Sequence, residues 1–202
     1  TYVLSRYETK IMNHHKKITL LLFICLLTLK LFSQSAADSI SPTFPKVVFV
    51  NEKNEILLTY DDNRKAYEVI SCGFIEGPID FNKYIDTLAN DIGVTYSSYR
   101  LGGLFTYIFP NSYSTFIRPY FVVPVDGFVN KKGVSDTTCK WFSLKEALKE
   151  IKYPASAKIV EKILSSPKQV WSATFEEYGY TNPVDVSKIK FRIITDFQRI
   201  NE

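Results

Sequence analysis

One segment constrains the chain more than any other. Phe81, Ile85, Leu88 and Ile92 recur at steps of four, three and four, an apolar stripe down one face of a helix. Asp80 stands where an N-cap belongs, and Gly93 stands where a helix ends in a left-handed residue. Lys83, Asp86, Thr87, Asn90 and Asp91 fall on the other faces. The helix sits among β-rich runs. Lys46–Val50 and Glu55–Tyr60 flank a polar turn, and Tyr67–Cys72 leads to Gly73. Two long aromatic strands, Tyr99–Pro110 and Ser114–Pro124, follow the helix. Cys139–Phe142 reads as a short strand, Leu144–Ile151 and Ser156–Leu164 as helices, and Val170–Phe175 and Ile189–Phe197 as strands. The expected class is α/β.

Composition excludes several chemistries. Of 202 residues 46% are hydrophobic and 23% charged, which is a globular balance and not a disordered one. The net charge of +4 is concentrated at the N-terminus, where residues 1–37 hold Arg6, Lys10, Lys16, Lys17 and Lys30 against Glu8. The remainder has as many acids as bases, so no global field draws in nucleic acid. Both histidines, His14 and His15, also lie in that stretch. The body therefore has no Ser-His-Asp triad, no zinc site with histidine ligands and no histidine ligand for haem. A metal there needs oxygen ligands, and a general base is a carboxylate, lysine or tyrosine.

Residues 1–37 have the layout of a secretory signal peptide or anchor. Met12 is the expected start. A basic stretch, Asn13–Lys17, precedes an apolar run, Ile18–Leu29, and Ser35 and Ala37 suit cleavage before Asp38. The apolar run is shorter than the ~20 residues that span a bilayer. A signal peptide here implies export to the periplasm or cell envelope; otherwise the protein is cytoplasmic or membrane-anchored, with membrane contact only through this segment. Residues 38–45 read as a linker. Export permits a disulfide between Cys72 and Cys139, but two buried free thiols in strand-like runs are the expectation.

The third strand, its glycine and the helix resemble the Nudix family. The stretch runs Gly73-Phe-Ile-Glu76-Gly77-Pro-Ile-Asp80-Phe-Asn-Lys-Tyr-Ile-Asp86-Thr87-Leu-Ala-Asn90-Asp91-Ile-Gly93-Val94. The Val47–Tyr60 hairpin and Lys140-Trp141-Phe142-Ser143-Leu144 fit its flanks. The resemblance covers residues 46–165 and leaves 166–202 as a C-terminal extension packed on the domain. It implies an α/β/α sandwich with a mixed sheet. It also implies a helix whose carboxylates hold Mg²⁺ or Mn²⁺ against a pyrophosphate. The family signature is G-x5-E-x7-R-E-U-x-E-E-x-G-U, where U is aliphatic. Aligned back from Gly93, its arginine slot holds Asp86, and its three carboxylate slots hold Thr87, Asn90 and Asp91. The structural positions are kept and the chemical ones mostly lost.

Two functions follow from that resemblance. One is a non-hydrolytic domain that binds a small anionic or nucleotide-like ligand, or a partner. The other is a divergent hydrolase of nucleoside diphosphate derivatives, with Glu76 and Asp91 catalytic and Glu76, Asp80 and Asp91 holding the metal. For ligand binding the candidates are Arg100 and Arg118, within aromatic strands, and Asp62, in a charged loop. Phe105, Tyr107, Phe109, Phe116, Tyr120 and Phe121 are core before they are a stacking platform. The segment Tyr178–Pro183 reads as a loop that either covers a cleft or pairs with another subunit, so a homodimer stays open.

Overall fold

The computed structural model describes residues 42–73, 75, 77–110, 114–129 and 138–201. The expectations for residues 1–37 and for Glu76 lie outside those residues. Among the described residues, ten strands and three α-helices follow in order: β1 Lys46–Val50, β2 Glu55–Asp61, β3 Ala66–Val69, α1 Phe81–Ile92, β4 Val94–Thr95, β5 Arg100–Phe109, β6 Ser114–Pro124, β7 Gly127–Phe128, β8 Cys139–Ser143, α2 Leu144–Glu150, α3 Pro154–Ser165, β9 Trp171–Tyr178 and β10 Lys190–Arg199. The main sheet runs β10-β9-β5-β6-β1-β2-β3, and β8 also pairs with β2. It is mixed: β1 lies parallel to β6 and β5 parallel to β9, while the other pairs are antiparallel.

Strand alternation sorts the side chains onto two faces. Val47, Phe49, Leu57, Phe121 and Val123 meet Ile85, Leu88 and Ile92 of α1. Val48, Ile56, Phe105, Tyr107 and Tyr120 meet Ile159, Val160 and Ile163 of α3. The result is the expected α/β/α sandwich. The helix forms as its caps require: Asp80 accepts from the amides of Asn82 and Lys83, and Gly93 closes the helix at φ 70°. A left-handed residue with no Cβ costs least there.

Two sequence expectations need correction. The thiols of Cys72 and Cys139 are free, but Cys72 is exposed and Cys139 half-buried, because β3 ends at Val69 and leaves Cys72 beyond the sheet. The linker is also tied down at its end, where Thr43 bridges both Ile75 and Ile117. Beyond these, residues 166–202 supply β9 and β10 and belong to one compact unit, Ser41–Glu202. They complete the sheet on its β5 side.

Candidate functional site

On the outer side of α1, Asp91 is exposed, and among the described residues no hydrogen bond or ion pair engages its carboxylate. Asp86 accepts from the Tyr96 hydroxyl at 2.6 Å. Asp80 spends one carboxylate oxygen on the two amides it caps. Thr87 donates to the Lys83 carbonyl at 2.8 Å. Beneath the helix, the Tyr84 hydroxyl donates to the Pro45 carbonyl at 2.9 Å and accepts from the Cys72 amide at 3.0 Å. Partial burial, and then the charge of Asp91, pushes the Cys72 thiol up. The polar groups of this region hold the helix and the preceding loop in place.

The opposite face holds a different arrangement. Alternation places Lys46, Arg118 and Glu177 on the α3 side of β1, β6 and β9, where they line a cavity of about 390 Å³. Phe44, Phe109, Phe116 and Tyr153 form much of its apolar wall. Lys46 Nζ lies 3.7 Å from Glu68 and donates to the Val69 carbonyl at 3.3 Å. Burial pulls its ammonium down to about 8, against the opposing charge of Glu68. The Arg118 guanidinium lies 3.8 Å from the Tyr107 ring centroid, a cation over a π face. Its Nη1 is 4.0 Å from Glu177 Oε2.

Glu177 is fully buried, and its Oε2 accepts from the Tyr180 hydroxyl at 2.7 Å. Burial pushes its carboxyl above the usual range, with Arg118 and Tyr180 pulling the other way. Gly179 turns the chain between Tyr178 and Tyr180 at φ 89°, and a Cβ there would lie 2.1 Å from the Lys188 carbonyl oxygen. Only glycine suits that position. Two buried atoms of the cleft have no hydrogen-bond partner, Arg118 Nε and Glu177 Oε1.

The structure does not bring the sequence candidates together. Of the three ligand-binding candidates only Arg118 lines this cleft. Arg100 lines a second cavity at the other end of the sheet and donates to the Ile163 carbonyl at 2.9 Å. Asp62 is exposed in its turn, 4.0 Å from Lys65. Of the aromatic candidates, Phe109 and Phe116 line the cleft, while Phe105, Tyr107, Tyr120 and Phe121 are core. Sequence reasoning missed Lys46, Glu68 and Glu177. A signal existed for Glu177: it continues the inward alternation of Ala173 and Phe175. The Tyr178–Pro183 loop does reach the cleft, through Tyr178 and Tyr180.

No family model matches the sequence, and no curated protein matches it. Among solved structures, the mutator protein MutT from Bacillus halodurans is similar at a TM-score of 0.58 and 16% identity, covering 76% of this chain and 97% of that one. The fold is Nudix-like. A NUDIX hydrolase from Nitrosomonas europaea also matches, with a TM-score of 0.47 and 16% identity over 61% of this chain and 88% of that one.

Nudix hydrolases generally use Mg²⁺ or Mn²⁺. Such ions take several oxygen ligands. Among the described residues no three His, Cys, Asp or Glu side chains gather as a metal site would require. Asp80 and Asp91 sit at opposite ends of α1, too far apart to share one ion. The described residues of this Nudix-like domain do not fit the metal.

Proposed function

We propose that this chain is a Nudix-like binding domain, which holds a small anionic or nucleotide-like ligand in the Arg118–Glu177 cleft and does not hydrolyse it. One observation carries the reading. Two side chains buried in that cleft each keep an unpartnered polar atom. A buried group without a partner is costly in isolation, which marks the Arg118–Glu177 pair bordering the cavity as more than packing. The acids on α1, by contrast, are capping, hydrogen-bonded to a neighbour, or exposed. In this reading Arg118 meets the ligand, the aromatic walls exclude water, and Glu177, held by Tyr180, positions Arg118. Export through residues 1–37 belongs to the same proposal, since free nucleoside triphosphates are not an obvious substrate outside the cytoplasm.

The likeness to MutT favours a second reading, a divergent hydrolase of nucleoside diphosphate derivatives using Glu76 and Asp91 with Mg²⁺ or Mn²⁺; Asp80, at the far end of α1, cannot share an ion with Asp91. The deciding experiment is pyrophosphate-bond hydrolysis by the full chain. The panel is nucleoside di- and triphosphate derivatives with either ion, and Asp91→Ala is the control. No turnover from folded protein is expected. Turnover that disappears in Asp91→Ala would replace the binding reading with the second one.

A further inference from the structure

The two edges of the main sheet are finished differently. At one edge β3 is four residues long, and its Tyr67 bridges to Ile151. At the other, β10 runs for ten residues and pairs with β9 alone among the described residues. Only Phe191 and Phe197 are partly buried against the core; the other eight residues are exposed, Ile193 and Ile194 included. A long open edge offers unpaired N–H and C=O groups to any other strand, and proteins blunt such edges with bulges and charges. β10 has both. Its register against β9 shifts between Ile193 and Thr195 and again between Thr195 and Gln198, and it carries Lys190, Arg192, Asp196 and Arg199. The order of those charges is informative. About Ile194 the strand is close to its own mirror: Arg192 stands against Asp196 and Phe191 against Phe197. Among the described residues the Asp196 carboxylate accepts only from the Phe197 amide, at 2.7 Å, and Arg192 pairs with Glu176.

We propose that β10 docks on β10 of a second copy of this chain, antiparallel about a two-fold axis at Ile194, joining the two sheets edge to edge. In such a pair, residues equally far from the axis fall opposite each other. Ile194 meets Ile194, and Arg192 of each copy meets Asp196 of the other. Lys190 faces Gln198 and Arg199 faces Ile189, so no two like charges meet. Bulges and mixed charges turn other strands away, while this register matches the charges; the features that blunt the edge also select its partner. The pairing is independent of any ligand in the cleft.

The test is the sedimentation-equilibrium mass of the full chain over a concentration series, with Arg192→Asp and Asp196→Arg measured apart and then mixed. The unaltered chain is expected to pass reversibly from 23.2 kDa to twice that mass as concentration rises. Each variant alone sets like charges opposite each other at both ends of the pair, and is expected to dimerise at least tenfold more weakly. Mixed in equal amounts, the two variants restore both Arg–Asp contacts, and the mixture is expected to dimerise as the unaltered chain does. A monomer at every concentration overturns the proposal. So does undiminished dimerisation of either folded variant, or a mixture no better than its parts. The apolar run Ile18–Leu29 is common to every variant, so association through it would survive the substitutions and count against β10. Should Arg192→Asp not fold by circular dichroism, Asp196→Arg alone still decides.

Discussion

On the α1 face of the sheet, the acids stand in water or serve local geometry, and the buried contacts are apolar apart from the Tyr84 hydroxyl. On the α3 face, Glu177 and two cations are buried beside a cavity, with Glu68 half-buried next to them. Both faces belong to one sheet, and both are built from strands with the same alternation. The difference shows where the chain tolerates cost. An exposed carboxylate costs little, whereas a buried ion pair loses hydration on both partners and recovers it only with good geometry. Arg118 and Glu177, 4.0 Å apart and each with an unpartnered atom, have not recovered it in full. Stability alone does not account for such an arrangement, and the proposed ligand binding would give it a use.

The largest test of that contrast is Arg118→Ala. It leaves Glu177 buried without its cation, and a loss of ~3–5 kcal/mol is expected by urea denaturation. A loss below about 1 kcal/mol would mean that the pair is solvated and the two faces are alike.

The second is a pH effect from Lys46. Its folded-state value is lowered to about 8 by burial, while the unfolded chain stays near the ordinary 10.5. Below pH 8 both states hold the proton, and the fold bears the cost of a buried ammonium. Between pH 8 and 10.5 the unfolded state binds more protons, so stability rises with pH, by up to about 3 kcal/mol. Glu68, Arg118, Glu177 and Arg64 all act on this group. Above pH 10 the buried tyrosines Tyr84 and Tyr120, whose hydroxyls burial pushes up, reverse the trend. Lys46→Met should abolish the rise in stability between pH 8 and 10, measured by denaturation at each pH.

The smallest effects belong to α1. Asp80→Ala removes the cap and should cost ~1 kcal/mol. Asp91→Asn should fall within about 0.5 kcal/mol of the unaltered chain. Thermal denaturation of the two variants side by side checks the order. A large shift for Asp91→Asn would show that the exposed face is under constraint too.

The sequence was informative where structure is local. The α1 stripe, its Asp80 cap and its Gly93 stop are all present, because period and capping act within a few residues. The hairpin of β1 and β2 and the long strands β5 and β6 were legible for the same reason. The cleft was not. Lys46, Glu68, Arg118 and Glu177 come from four strands, and alternation assigns each a face without saying which strands are neighbours. Arg118 and Arg100 looked equivalent as arginines in aromatic strands, and strand pairing sends them to different ends of the sheet. The tail was underestimated because β9 completes the sheet by parallel pairing with a strand far back in the chain.

That parallel pairing orders events during synthesis. Domains form as their residues emerge, N-terminal parts first, yet β1 must wait for β6 and β5 must wait for β9. A nascent chain that has reached α3 carries β5 with one edge open and Phe105 and Tyr107 without Phe175 beside them. Closing such distant pairs is slow, because chain entropy is lost before the contacts form. The buried carboxylate of Glu177 therefore arrives with the strand that shuts the sheet. Until that strand docks, the long edge of β5 is free to pair with other chains, and this interval in the life of the molecule is the one most exposed to aggregation.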